Sequence, residues 1–328
     1  MLFKTLPLSE IKNRYVQPVD VFIAFSSFEE RCLSVIQNLN LDIINTAYII
    51  VNHDAPSQTH KNFQVMKQLL GETVTEVNVN LFEPLELTDQ LISMVYKIIE
   101  LNQKPRLLVD ITTFTHEALL IFLAIVKRFL KNAEIEYIYN NAATYASETG
   151  TAAERWLSRG IRDVRSVLGY AGDIKPSQDT VLIMMLGYEY ERAWRVIDSI
   201  SPTELIITYN DSHGSTTQLN CEAGEKHATL LKELAAYYEK PEQYVLPSNN
   251  PFETAKMLMK IHNKIGKGKN VIIVPMNNKL ATVGAAIVAY QKKEIQLCYA
   301  PAEIYNTSFY SVAGDSCYIF NLDDTQTE

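Results

Sequence analysis

Two short stretches of this chain carry residue types that could do chemistry at a usable spacing. Asp110-Ile111-Thr112-Thr113-Phe114-Thr115-His116-Glu117 gathers two carboxyls, an imidazole and three hydroxyls. Asp110, His116 and Glu117 form the one compact acid–base grouping of the first half, and are the candidate catalytic residues for proton transfer. Thr112 and Thr113 with Thr115 make a hydroxyl-rich turn, which either holds a phosphate or satisfies the free N–H groups of a helix start. Asn277-Asn278-Lys279 joins two amides able to read a base edge or a ribose to a cation able to hold a phosphate. Glu30-Arg31 and Glu191-Arg192 repeat a carboxylate and a guanidinium, whose planar fork suits carboxylate and phosphate alike. His53-Asp54 and Asn210-Asp211-Ser212-His213 either meet a ribose or simply turn the chain. The four cysteines are scattered with no Cys-x-x-Cys, so neither a metal site nor a disulfide framework is expected.

The elements that must position these groups are written twice, from about Val19 to Tyr145 and from about Thr180 to Tyr305. Each copy opens on an apolar run that ends in small or polar residues and Glu-Arg: Val21 to Phe25 before Glu30-Arg31, and Val181 to Leu186 before Glu191-Arg192. Helical spacing follows at Leu33, Ile36 and Leu39, and at Trp194, Ile197 and Ile200. Further strands pair as Ala47–Asp54 with Glu204–Asp211, Val77–Glu83 with Tyr244–Asn250, Leu107–Thr113 with Ile272–Asn278, and Ile135–Tyr139 with Ile295–Tyr299. Helices are predicted over Leu87–Leu101, Glu117–Leu130, Pro251–Ile265 and Ala281–Tyr290. Strands that alternate with helices and are apolar without a break imply parallel sheets covered on both faces. The fold expected is α/β: two tandem Rossmann-like domains related by an internal pseudo-twofold duplication, over residues 1–170 and 171–328. The bridge from about Glu148 to Gln178, with Arg155, Arg159, Arg162 and Arg165, ends in a strand near Asp163–Leu168, and Cys317–Leu322 is its counterpart.

Such sheets bind ligands beyond the carboxyl ends of their strands, where strand order reverses and helix N-termini favour anions. That rule picks the loops after the first and fourth strands: Ser26, Ser27, Phe28, Glu29, Glu30 and Arg31 with Asp110, Thr112, Thr113, Thr115, His116 and Glu117 in the first copy, and Gly187, Tyr188, Glu189, Glu191 and Arg192 with Asn277, Asn278, Lys279 and Thr282 in the second. Of these, Ser26, Ser27, Glu30, Arg31, Thr112, Thr113, Gly187, Tyr188, Glu191, Arg192, Asn277, Asn278 and Lys279 are the candidate ligand-binding residues.

Composition narrows the function. A formal charge of −8 argues against a broad nonspecific grip on DNA, and no apolar run reaches the length of a membrane span. The N-terminus lacks the features of a secretory signal, so a cytoplasmic protein is expected. Neither Gly-x-Gly-x-x-Gly nor a Walker loop occurs, which disfavours a bound dinucleotide cofactor or ATP hydrolysis, and no cofactor is expected. The basic run Lys264-Ile265-Gly266-Lys267-Gly268-Lys269 joins a helix to a strand and reads as solvated loop.

The strand, small polar residues and helix at Ala24 to Arg31, with Val109-Asp110-Ile111-Thr112-Thr113-Phe114-Thr115-His116-Glu117, resemble the CRISPR-associated Rossmann-fold (CARF) superfamily and its fused SAVED relatives. The second stretch looks like that family's Asp-x-Thr-Gly-Gly-x-Lys turn. It departs where Thr113-Phe114 replaces the glycines and His116 the lysine; in the second copy Lys279 is better placed, but Pro275 replaces the acid. The resemblance implies a sensor of cyclic nucleotide messengers in antiviral defence, with its pocket between two like domains and its output passed to a protein partner or through self-assembly. Two alternatives stand beside it: an enzyme that cleaves a phosphodiester or glycosidic bond of a nucleotide or nucleic acid, and a non-catalytic scaffold subunit.

Overall fold

The computed structural model describes residues 3–145, 156–211, 213, 216, 218–234, 239–308 and 310–322. Arg155, Ser212 and the residues 323–328 therefore lie outside the described residues. The first half runs through β1 (Phe3–Pro7), α1 (Ile11–Arg14), β2 (Val19–Phe25), α2 (Ser34–Gln37), β3 (Ile44–Asn52), α3 (Ser57–Leu70), β4 (Val74–Val79), α4 (Pro84–Leu101), β5 (Arg106–Asp110), α5 (His116–Phe129) and β6 (Glu134–Tyr145). Two-residue strands β7 (Ser158–Arg159) and β8 (Arg165–Ser166) precede the second half. That half runs through β9 (Thr180–Met185), α6 (Tyr190–Ile200), β10 (Glu204–Tyr209), α7 (Gln218–Leu234), β11 (Glu239–Val245), α8 (Pro251–Ile265), β12 (Asn270–Pro275), α9 (Lys279–Gln291), β13 (Ile295–Tyr299), β14 (Ile304–Tyr305) and β15 (Ser311–Phe320).

Both halves build the same parallel sheet. The first has the order β4-β3-β2-β5-β6 and the second β11-β10-β9-β12-β13, all neighbours parallel. In each, the chain starts in the middle, winds outward to one edge, then returns to the other side of its first strand. This is the doubly wound Rossmann order, with its reversal between the first and fourth strands. The registers superpose as well: Ala24 faces Asp110 across the first reversal, as Met185 faces Pro275 across the second.

The last strand of each sheet comes from the other half of the chain. β15 pairs antiparallel with β6, and β1 covers β15 in turn, while β8 pairs antiparallel with β13. The strands expected near 163–168 and 317–322 both exist, yet each completes the sheet of the opposite copy. The chain accordingly divides into one unit of residues 3–145 with 310–322 and another of 156–308. The boundary expected between residues 170 and 171 falls inside the second unit. Hydrophobic periodicity marks a strand but carries no information about which of two like edges it joins.

Each sheet is buried on both faces. In the first unit Phe22, Ala24, Ile49, Val51 and Leu108 pack with Phe63 and Met66 of α3, and the alternate residues Val21, Ile23, Leu107 and Val109 are equally enclosed beneath α4 and α5. In the second, Leu182, Met184, Ile207 and Val274 pack with Ala193, Val196 and Ile197 of α6 and with Ala228 and Leu231 of α7. Burying each large side chain of this kind contributes ~1.5–3 kcal/mol. On the opposite face α9 lies so close to α8 that a Cβ at Gly284 would come within 2.5 Å of Thr254. Cys298 is core, as its place in an apolar strand suggests, and Cys32 and Cys317 are also buried and unpaired. No described helix is long and apolar enough to cross a membrane.

Candidate functional site

The turns at the two reversals are tied down by the same clamp, built from the repeated arginines. Arg31 is 3% exposed; it pairs with Glu29 at 2.9 Å and donates to the carbonyl oxygen of Asn140 at 3.1 Å. Arg192 is 7% exposed; it pairs with Glu189 at 2.5 Å and donates through Nε to the carbonyl of Ala300 at 2.8 Å. The two carbonyls hold the same place, one residue beyond Tyr139 and one beyond Tyr299. Each carboxylate also takes a serine hydroxyl from the exchanged segment, Ser311 for Glu29 and Ser158 for Glu189. Glu30 and Glu191, the carboxylates adjacent in sequence, stay exposed. Both arginines thus join the first turn of their sheet to its fifth strand, with paired charges that offset their desolvation.

A second tie closes each reversal directly. In the first unit Thr113 Oγ1 donates to the carbonyl of Phe25 at 2.6 Å; in the second Asn277 Nδ2 donates to the carbonyl of Leu186 at 2.6 Å. Phe25 and Leu186 are equivalent residues, so a hydroxyl and an amide do one job. Thr112 Oγ1 accepts from the backbone N–H of Asn140 at 3.0 Å, Thr115 caps α5 through the N–H of Ala118, and Asn278 caps α9 through the N–H of Ala281. Asn277 also exchanges hydrogen bonds with Asn210, and the Asn278 amide reaches Ser248 at 3.4 Å. Ser26, 1% exposed, donates to the carbonyl of Thr59, whereas Ser27 is half-buried and accepts from the N–H of Glu29. The hydroxyl-rich turn and the Asn-Asn pair therefore tie together the turns at the strand ends.

Gly187 is required where these two turns cross. A Cβ there would lie 2.5 Å from the carbonyl oxygen of Met276, so only glycine lets the turn after β9 pass over the turn after β12. Tyr188 and Lys279 are half-buried.

The titratable groups of the first unit occupy unequal places. Asp110 ends β5, 2% exposed, and accepts from the backbone N–H of Thr112 at 2.9 Å. Burial pushes its carboxyl up to about 7, against the lowering pull of the Thr112 hydrogen bonds and the Arg31 charge. A carboxyl at that value gains and loses its proton near neutral pH. Glu117 is buried in the first turn of α5, and His116 beside it is half-buried. In the second unit Pro275 stands opposite Met185 where Asp110 stands opposite Ala24, so the acid belongs to one copy alone.

Glu29 and Glu189 were expected at the strand ends but not as the partners of the arginines, and other groups here were not anticipated. Glu29 and Glu189, not Glu30 and Glu191, complete the clamps, and Asn140 fills a bulge in β15 by donating to the carbonyls of Gly314 and Ser316. From the helices after the second strands, Asn62 donates to the carbonyl of Ser27 at 2.7 Å and His227 Nδ1 lies 3.4 Å from that of Gly187. Apolar spacing at Phe63, Met66 and Leu70, and at Ala228 and Leu231, was the available signal for those helices. Gly266, Lys267, Gly268 and Lys269 of the basic run line part of an open cavity of about 460 Å³ at the amino ends of β12 and β13, away from the reversal. Its Lys269 and Lys175 are paired with Glu204 and Asp173. Among the described residues no group of His, Cys, Asp and Glu is placed to hold a metal ion.

No family model matches the chain, and no curated protein matches it. Among solved structures it is similar to an NADPH-bound carbonyl reductase from chicken fatty liver, at 9% identity over 70% of this chain and 75% of that one, with a TM-score of 0.29. It is also similar to the NADP-bound N-domain of a bacterial malonyl-CoA reductase, at 8% identity over 84% and 77% and a TM-score of 0.23. A UDP-N-acetylglucosamine 2-epimerase aligns at 10% identity over 79% and 74%, with a TM-score of 0.25. These overlaps are loose and add nothing to what the strand order shows: two doubly wound α/β units in one chain.

Proposed function

We propose that the protein recognises a nucleotide, and that it serves as a sensing or regulatory subunit of the kind the CARF and SAVED families supply to antiviral defence. The observation that carries this reading is the paired reversal of strand order, kept in both units with the same arginine clamp beneath it. A crevice at such a reversal suits a phosphorylated ligand. The copies share the framework and differ in the groups around it: Asp110, Thr113 and His116 in one, Gly187, Asn277 and Lys279 in the other. A framework kept while the polar groups around it diverge favours each unit taking its own nucleotide moiety, so the two are expected to differ in the ligand they prefer. On this reading a partner chain or self-assembly carries the output.

Asp110 favours a second reading, cleavage of a phosphodiester or glycosidic bond, because a carboxyl near 7 is suited to general acid–base work. One experiment separates the two. The purified protein is incubated with mono-, di- and cyclic oligonucleotides, its thermal stability is followed, and the recovered ligand is weighed by mass spectrometry. Sensing predicts a raised Tm with ligand returned intact. Ligand returned cleaved by wild type and intact by Asp110→Asn establishes the enzyme, and no shift with any probe refutes both.

A further inference from the structure

We propose that His227 is a ligand contact of the second unit's crevice, its Nε2 accepting a hydrogen bond from a donor on the nucleotide, either a sugar hydroxyl or a base amine. The inference rests on the nucleotide reading above. His227 lies on α7, one turn after Gly224, whose place over the end of β10 leaves a Cβ 3.4 Å from the backbone nitrogen of Asn210. From there Nδ1 faces the carbonyl of Gly187 at 3.4 Å, and the ring packs on Tyr190 with centroids 5.6 Å apart. A carbonyl oxygen only accepts, so Nδ1 carries the proton and the neutral ring presents a lone pair at Nε2. Burial lowers the imidazole's pKa, and the Lys226 charge acts the same way against the pull of the Gly187 carbonyl, which keeps the ring neutral.

The first unit shows what the position does when it is purely structural. Asn62, on the corresponding helix α3, donates to the turn after β2 at 2.7 Å, and its own oxygen accepts from Gln58 at 3.1 Å. That amide is 3% exposed, with both ends engaged. His227 keeps the tie to the turn but is only half-buried. Its Nε2 has no partner among the described residues and is not among their enclosed, unpartnered atoms. An imidazole with one nitrogen anchored on the turn and the other open at the strand ends is a directed acceptor; a phosphate offers it no donor at neutral pH, whereas a sugar hydroxyl or base amine does.

The test compares wild type, His227→Asn and His227→Ala. Asparagine keeps an N–H donor at the place of Nδ1 and removes Nε2, so the ligand-free Tm of His227→Asn is expected to match wild type while His227→Ala melts lower. Affinity for AMP, GMP or whichever panel member binds wild type is expected to fall about tenfold in His227→Asn. Wild type losing the same factor against a 2′,3′-dideoxy analogue, with His227→Asn indifferent to it, identifies the sugar hydroxyl. The same pattern with inosine in place of adenosine identifies the base amine. His227→Asn binding every probe as tightly as wild type would overturn the contact and leave His227 a clamp, with the nucleotide reading intact. Wild type binding no nucleotide removes both. Long-range ¹H–¹⁵N spectra of the histidine rings, assigned by the peak lost in His227→Asn, test the geometry without ligand: the Nδ1–H tautomer supports the proposal and the Nε2–H tautomer refutes it.

Discussion

Replacing Asp110 by asparagine should stabilise the protein at neutral and alkaline pH, by an amount the burial of this carboxyl sets. In the folded chain its pKa is raised from an ordinary 3.8 to about 7. Between those values the unfolded chain has released the proton while the folded chain still holds it. The folded state binds more protons, so stability falls as pH rises through this window, and above about pH 7 the loss is complete. At ~1.4 kcal/mol per pH unit the window of about three units corresponds to about 4 kcal/mol. Asparagine does not titrate, and its oxygen can still accept from the Thr112 N–H. Urea unfolding of both proteins at about pH 5 and about pH 8 is the assay, with the midpoint shift converted through the common m-value. The stability difference between the variants is expected to move in favour of asparagine on going from the lower to the higher pH, by a few kcal/mol. A difference that stays constant across the two pH values would show that Asp110 is already ionised in the folded protein, and would refute both the raised pKa and its use as a proton carrier.

Removal of residues 310–328 should strip β15 from the first sheet while leaving the second intact. Its buried Cys317, Ile319 and Phe320 then leave a gap, expected to appear as a separate low-temperature transition by calorimetry, and a single unchanged transition would contradict the strand exchange. Substituting Arg31 by methionine should cost ~3–5 kcal/mol by leaving Glu29 enclosed without its partner, whereas Glu30→Gln, at an exposed carboxylate, should change Tm hardly at all.

The duplication was legible because strand and helix signals are local. Continuous apolar runs marked β2, β9, β5 and β12, and Pro251 with Asn250 before it fixed the start of α8, observed at Pro251–Ile265 as expected. Other limits moved for physical reasons. The strand expected over Tyr244–Asn250 runs instead from Glu239 to Val245, since its edge position lets charged residues into it. The helix expected through Leu33, Ile36 and Leu39 shrinks to a 3-10 turn at Glu30–Leu33 and the four-residue α2, although its counterpart α6 runs eleven residues. The Glu-Arg repeat was visible, but the carboxylate used is the one that reaches both the buried arginine and the serine hydroxyl, which depends on turn geometry. The long-range ties, Thr113 to Phe25 and Asn277 to Leu186, join residues far apart in sequence, and no local pattern announces them.

The exchanged strands impose an order on how the chain can mature. During synthesis the first sheet can form as far as β6 and must then wait, its outer edge unpaired, until β15 has emerged after the whole second unit, because Tyr137 takes its partner from Phe320. Contacts that span so much sequence form slowly, and an open strand edge is a template for pairing with other chains. The unit begun first is therefore completed after the second, and conditions that slow the synthesis of β15 should leave ribosome-bound chains prone to aggregation through the edge of β6.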